Sequence, residues 1–272
     1  MNRMDGKVCL VAGATQGLGA AIAHRLAAAG ATGLVVTGRN AERGEAVARS
    51  ISEVGAPARF VRADLASVED CRRAVAETDR LFGRLDVLVN AGALTDRGTI
   101  LDTSPDLFDR MFATNVRGPF FLMQEAIRLM IRDGVEGAIV NIGSTSAHAG
   151  QPFISAYCAS KGALATLTRN TAFAVMGNRI RVNQLDIGWM ASDHERALQE
   201  AETGDPDWEA KATAGLPYDR LVDPEEAARA VNFLASDDAG LMTGAVVQFD
   251  QSVRGAYAGQ APVPQGPMRW PA

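Results

Sequence analysis

Tyr157 and Lys161 stand four residues apart in the stretch SAYCASKGA (155–163), with only Cys158, Ala159 and Ser160 between them. On a helix, positions i and i+4 lie one above the other on the same face, so this spacing sets a phenol beside an ammonium. An unperturbed phenol loses its proton near pH ~10, too high for a base at neutral pH, and a neighbouring positive charge favours the phenolate. The pair has the make-up of a tuned proton-transfer group. The same spacing suits an ordinary amphipathic helix with tyrosine inside and lysine outside, so the rest of the chain has to decide.

A second set of residues has the make-up of a phosphate cradle. The stretch AGATQGLGAA puts Gly13, Gly17 and Gly19 where an apolar run turns into a small-residue helical pattern. Glycines permit a tight turn and close backbone approach, and a helix N-terminus offers free N–H groups to phosphate. An acidic residue that would grip a ribose 2′-hydroxyl belongs about 20 residues further on. There the chain reads VVTGRNAER, with Gly38 in the place of the carboxylate and Arg39 after it. Loss of the carboxylate removes repulsion against a 2′-phosphate, and an arginine can pair with one. This favours NADP over NAD, although Gln16 in the glycine loop adds no second positive charge.

A third candidate is Asn115, in FDRMFATNVRGPFFLMQEAI (108–127). Pro119 has no N–H, so the carbonyl of residue 115 loses its helical partner and is left to hold a water or to mark a kink.

These residues need elements to position them. Short apolar runs read as strands at 7–12, 33–37, 58–62, 85–90, 137–142, 180–185 and 245–249, with helical patterns such as 18–30 and 68–83 between them. Continuous apolar strands imply a sheet covered on both faces, and strict β/α alternation implies parallel strands with right-handed crossovers. The expected fold is one Rossmann-type, doubly wound parallel sheet of about seven strands with helices on both faces. It spans residues 1–252, with 188–216 as an acidic insertion and 253–272 as a Pro- and Gly-rich surface tail.

Net charge is −5, so a general attraction to nucleic acid or membrane surfaces is not expected. No apolar run approaches a membrane span, and the first residues enter a strand without a signal peptide. Cys9, Cys71 and Cys158 neither frame a disulfide scaffold nor show metal spacing. The expectation is a cytoplasmic protein without a metal.

AGATQGLG, NAG (90–92), NVRG (115–118), a serine thirteen residues before Tyr157, and YCASK occur here in that order. Together they resemble the short-chain dehydrogenase/reductase family over roughly residues 5 to 250. The resemblance implies hydride transfer between a nicotinamide cofactor and an alcohol or carbonyl, and a homodimer or homotetramer. It casts Tyr157 as acid/base, with Lys161 lowering its pKa and holding the nicotinamide ribose. Small residues between them would let the helix press close to the nicotinamide. Ser144 would hydrogen-bond the substrate oxygen, and Asn115 would belong to a proton relay. Gly13, Thr15, Gln16, Gly17, Leu18, Gly19, Arg39, Asp64, Leu65, Asn90, Ala91 and Gly92 would line the cofactor, with Asp64 at the adenine. Ile187, Gly188 and Met190 fall where the family contacts carboxamide and pyrophosphate. Ile187 replaces a proline and Ser192 a threonine there, which puts those contacts in doubt.

On the substrate side stand His148 and Gln151 after Ser144, Arg97 after the NAGALTD loop, and Trp189 at the start of the insertion. His148 suits a structural role as well, Trp189 and Trp208 suit packing of a lid, and Arg254 could contact an anion. The insertion carries Asp193, Glu195, Glu200, Glu202, Asp205, Asp207 and Glu209 against Arg196 and Lys211, and lacks a long apolar run. Such a lid should repel an acidic carrier and leave an acyl chain or steroid uncovered. The reading is an oxidoreductase for a small sugar or polyol, resembling the family's sugar dehydrogenases. The alternatives are a ketone or 3-oxoacyl reductase and, less favoured, a non-enzymatic cofactor sensor on the same fold.

Overall fold

Strands rich in Val, Leu and Ile on both faces can be buried only between two helical layers, and the chain folds accordingly. The computed structural model describes residues 3–148 and 150–256, with Gly266 and Met268. Among these, seven parallel strands form one sheet: β1 (Val8–Ala12), β2 (Gly33–Gly38), β3 (Ala58–Arg62), β4 (Val87–Asn90), β5 (Ala138–Ser144), β6 (Arg181–Ile187) and β7 (Val246–Phe249). Their order is β3-β2-β1-β4-β5-β6-β7. The helices are α1 (Gly17–Ala28), α2 (Ala41–Glu53), α3 (Val68–Phe82), α4 (Pro105–Phe112), α5 (Gly118–Asp133), α6 (Ser155–Val175), α7 (Asp193–Thr203), α8 (Trp208–Thr213) and α9 (Pro224–Ala235).

Alternate strand residues feed two cores. Val11, Val36, Val89, Val140 and Ile142 pack with Ile22 and Leu26 of α1, Ile51 of α2 and Val231 and Leu234 of α9. Leu10, Val35, Leu88, Ile139 and Val182 pack with Val75 of α3, Leu122 and Met130 of α5 and Val175 of α6. Cys9 and Cys71 are wholly buried in these cores, and burial pushes both thiols up, so they serve as packing groups.

The sheet reverses direction between β1 and β4. The carboxyl ends of these strands open a crevice there, the general location of ligand sites in such sheets. Residues 105–133 form one continuous helical rod with a π turn, Ala113–Arg117, between α4 and α5. Gly118 N–H bonds to Ala113 O, five residues back. The break expected at Pro119 is therefore taken up one turn earlier, as a widened turn centred on Asn115 rather than a kink.

The insertion after β6 is helical. Ser192 caps α7 by accepting the Glu195 N–H at 3.1 Å, and Gly204, at φ 60°, ends it. No helix among the described residues is long and apolar enough to cross a membrane. Most of the expected tail, 257–265, 267 and 269–272, lies outside the described residues.

Candidate active site

The crevice is built from absences. Gly13 adopts φ 82°, and a Cβ there would overlap Gly92 Cα. One on Gly19 would overlap Gly13 O, and one on Gly92 would overlap the Leu65 side chain. Loop 13–19 and loop 90–92 are thus in backbone-to-backbone contact, with the first turn of α1 opening onto them. Gly17, Leu18 and Gly19 begin α1, and no side chain caps its N-terminus. Its first N–H groups lack intrahelical partners and face outward as an anion cradle. Asp64 and Leu65 follow β3 on the rim, where the Asp64 carboxylate accepts the Ala66 N–H at 3.0 Å.

Thr15 rests against Gly38, so a side chain at 38 would overlap the threonine methyl. Arg39 is exposed just before α2, whose cap Asn40 accepts the Arg43 N–H at 2.9 Å. Arg43 in turn donates to Gln16 Oε1. The second positive charge that the glycine loop lacks is thus delivered by Arg43 from the first turn of α2. Its position four residues after Arg39 was the available signal.

Asn90 is a partial departure from expectation. Its backbone lines the crevice, but its side chain turns inward and donates to Asn141 Oδ1 at 2.8 Å, leaving Asn90 Oδ1 without a hydrogen-bond partner. Asn141 donates to Thr168 Oγ1 at 2.9 Å, Thr168 donates to Gln184 Oε1 at 3.1 Å, and Gln184 donates to Asp186 Oδ1 at 2.6 Å. A buried polar chain therefore runs beneath α6 from β4 to β6.

Four expected catalytic residues meet at the carboxyl ends of β4 and β5. Lys161 is 2% exposed, donates to Ile142 O at 2.8 Å and lies 5.7 Å from the centroid of the Tyr157 ring. Ser144 accepts the Ser146 N–H and donates to Ser146 Oγ at 3.0 Å, and Ser146 donates to Gln151 Oε1. Asn115 clamps the β4–α4 loop: it accepts Leu94 N–H at 2.8 Å, donates to Leu94 O at 2.9 Å and donates to Ser160 Oγ at 3.0 Å.

The electrostatics differ from the expectation of a phenol lowered by its ammonium neighbour. Burial pushes Tyr157 up to about 12, with a hydrogen bond from Ser144 pulling the other way. Burial also brings Lys161 down to about 8, opposed by the negative charge of Asp186. Desolvation outweighs pair attraction, with Lys161 fully and Tyr157 partly withdrawn from water. The resting tyrosine is a neutral phenol, a proton donor.

Substrate-side residues are tied to one another. His148 Nε2 lies 3.0 Å from Asp186 Oδ2, and Arg254 Nη1 lies 3.4 Å from the same ring nitrogen. Arg97 pairs with Glu202 of α7 and stacks 5.3 Å from the Phe153 centroid. Trp189 donates to Glu195 at 2.9 Å and packs 5.8 Å from Trp208. Ile187 is buried, and Gly188 lies against the Asp250 carboxylate. Met190 bridges to Val222. Neither Arg97 nor Arg254 stands apart from other groups as a ready anion site.

Fold and crevice together define a dinucleotide-dependent α/β oxidoreductase, and comparison with known proteins agrees. The sequence profile of the family described as Enoyl-(Acyl carrier protein) reductase matches residues 13–253. An uncharacterized oxidoreductase of Thermotoga maritima is 36% identical over 246 residues, covering 90% of this chain and 96% of that protein. A sorbitol dehydrogenase of Cereibacter sphaeroides is 31% identical over 254 residues, covering 91% and 97%. A solved 3-oxoacyl (acyl-carrier-protein) reductase from Agrobacterium tumefaciens C58, with NADP bound, superposes with a TM-score of 0.84 at 27% identity, covering 91% and 94%. The chain belongs to the short-chain dehydrogenase/reductase family and is an NAD(P)-dependent oxidoreductase.

Proposed function

We propose that this oxidoreductase acts with NADP on a secondary hydroxyl, or the matching carbonyl, of a small sugar or polyol. The observation that carries the reading is the joint placement of Ser144, Tyr157 and Lys161 beside a crevice whose glycines bring two loops into backbone contact at the open N-terminus of α1. Gly13, Gly19 and Gly92 fit a dinucleotide because they let loops 13–19 and 90–92 close on each other and present bare backbone, where any Cβ would overlap protein atoms. The first turn of α1 would hold the phosphates, and Arg39 and Arg43 a ribose 2′-phosphate. When bound, the nicotinamide accepts or supplies the hydride.

The chain's own residues handle the proton. In reduction, the neutral Tyr157 phenol donates its proton to the carbonyl oxygen while the Ser144 hydroxyl stabilises the charge developing there. In oxidation the phenolate takes the hydroxyl proton, and Lys161 stabilises that phenolate. Asn115 fixes the loop above the crevice and, through Ser160, the first turns of α6.

A polar substrate is supported by the hydroxyl, amide and imidazole groups of Ser146, Gln151 and His148 near the site, and by the sorbitol dehydrogenase among the relatives. One observation favours a second reading, a ketone or 3-oxoacyl reductase. Glu202, Glu209 and Asp205 are paired with Arg97, Arg196 and Lys211, so the covering segment repels an acidic carrier less than its composition implies. The reading includes the cytoplasm, supported by three unpaired cysteines, and a homodimer or homotetramer, supported by the exposed Phe108 and Phe120 on adjoining helices.

Initial rates with NADP⁺ and NAD⁺ against sugars and polyols, and with the reduced cofactors against acyl thioesters and ketosteroids, test the proposal. The highest kcat/KM is expected with a sugar or polyol. A higher value for any thioester or ketosteroid transfers the assignment to the ketone-reductase reading.

A further inference from the structure

Strand β6 reads RVNQLDI, and its acidic residue is fully buried: Asp186 has no exposed surface. A carboxylate in the middle of a sheet needs partners, because an unpaired buried charge is costly. One oxygen has a partner, the Gln184 amide at 2.6 Å. The other faces His148 Nε2 at 3.0 Å but off the line of a hydrogen bond, and has no hydrogen-bond partner among the described residues. Asp186 pairs in register with Gly143, whose missing side chain gives the carboxylate its space under α6.

The groups around this carboxylate can be named element by element. From α6, Tyr157 and Lys161 lie within reach of its charge, His148 faces it from the turn after β5, and Arg254 stands behind His148. Glu195 of α7 acts on Tyr157 from above. Lys161 Nζ donates to Ile142 O at 2.8 Å, and the next residue, Gly143, lies under the Asp186 carboxylate, so ammonium and carboxylate are anchored at consecutive residues of β5, and the charge of Asp186 favours the ammonium.

We propose that Asp186 is a positioning residue for the reactive pair: its buried carboxylate, held by Gln184 and faced by His148, keeps the Lys161 ammonium charged inside the protein. Without that charge, burial alone acts on the amine and favours its neutral form. A neutral lysine could no longer stabilise the Tyr157 phenolate. The inference builds on the assignment of Tyr157 and Lys161 as the proton-transfer pair, but it is a statement about charge and can be read without any reaction.

The chain has only three lysines, Lys7, Lys161 and Lys211. NMR of protein carrying ¹³C-labelled lysine therefore resolves Lys161 directly, with Lys7→Arg and Lys211→Arg assigning the other two signals. In the wild type the Lys161 signal should titrate at about 8. In Asp186→Asn its midpoint should fall by about one pH unit, as expected for loss of a nearby opposite charge. In Asp186→Ser, which also removes the charge, it should fall likewise. A folded Asp186→Asn protein with an unmoved midpoint overturns the proposal. If Asp186→Asn does not fold, its three lysines converge near the ordinary value of ~10.4. Asp186→Ser, which removes the charge with a smaller neutral group, then decides, and an unmoved or raised midpoint overturns the proposal. The measurement uses neither cofactor nor substrate, so its failure leaves the redox reading standing, and loss of the redox reading leaves it intact.

Discussion

The two sides of the crevice are made of different materials. On the cofactor side, from β1 to α2, function comes from what is missing: three glycines bring two loops into backbone contact and expose a helix N-terminus. On the catalytic side, from β5 to β6 with α6 above, function comes from what is withdrawn from water: a partly buried phenol with a fully buried ammonium and carboxylate. The first side is a problem of sterics and tolerates almost no addition. The second is a problem of solvation, where each charged group costs stability and is kept for its chemistry. Removing an atom should therefore be damaging on one side, and adding one on the other.

The largest effect should come from taking one oxygen from the catalytic side. Tyr157→Phe keeps the ring and loses the proton, so kcat should fall by about 10²–10⁴-fold while cofactor affinity, measured by fluorescence titration, changes little. A variant retaining a tenth of wild-type kcat would remove Tyr157 from the mechanism.

The converse on the cofactor side is Gly13→Ala. The added methyl meets Gly92 Cα, and φ 82° is strained for alanine, so destabilisation of about 2–4 kcal/mol is expected together with loss of cofactor affinity. Gly17→Ala sharpens the contrast. Its φ is 54°, but nothing lies within 4 Å of the new methyl, so only the conformational cost of about 1–2 kcal/mol applies. Equal effects of the two in urea melts would show that strain, not contact, makes the loop intolerant.

Lys161→Met breaks the comparison from within, because on the catalytic side a loss of function should be a gain in stability. Burial holds Lys161 at about 8, below the ordinary 10.5, so folding binds fewer protons than the unfolded chain between these values. That penalty is fully present below about pH 8 and fades as pH rises through 10.5. At one pH unit per 1.36 kcal/mol it amounts to about 3 kcal/mol, less about 1 kcal/mol for the bond to Ile142 O that the variant forgoes. An inactive Lys161→Met protein roughly 2 kcal/mol more stable than wild type at pH 7 is expected, with the gap closing above pH ~10. A variant less stable at pH 7 would mean that the ammonium is better solvated than its burial implies.

Much of the cofactor side was legible in the sequence, and less of the catalytic side. The seven strands, the glycine turn and the i,i+4 pair follow from local periodicity and spacing, which the backbone obeys wherever it goes. The reversal of the expected shift at Tyr157 could not be read, because burial is a property of the packed molecule and not of neighbours in the chain. Asp186 fell one residue past the strand expected at 180–185 and drew no reading there, and the groups around it come from the turn after β5, from α6 and from Arg254. The charge of the 188–216 segment was legible as composition only. Its pairing with Arg97 and Arg196 depends on where the helices lie. The inward turn of the Asn90 side chain depends likewise on Asn141, a residue of another strand.

The smallest effect belongs to the rim of the cofactor side, where the material is neither missing atoms nor buried charge but two exposed arginines. Gly38 leaves no carboxylate to repel a 2′-phosphate, and Thr15 occupies the space a side chain at 38 would need. Gly38→Asp is therefore a poor test, since it must first displace the threonine. Removing the positive charges is cleaner. Arg43 reaches Gln16 from α2, and Arg39 stands at the start of the same turn, so one phosphate can lie within reach of both. Exposed charges are screened by salt, which caps the gain from each. Arg39→Ala and Arg43→Ala should each reduce the preference for NADP over NAD, measured as the ratio of dissociation constants, by about tenfold, with NAD affinity itself unchanged. Raising salt should narrow the wild-type ratio in the same direction. If both variants bind the two cofactors in the wild-type ratio, the preference resides in the glycine loop alone, and the side of the crevice built from absences would need no charge to choose its ligand.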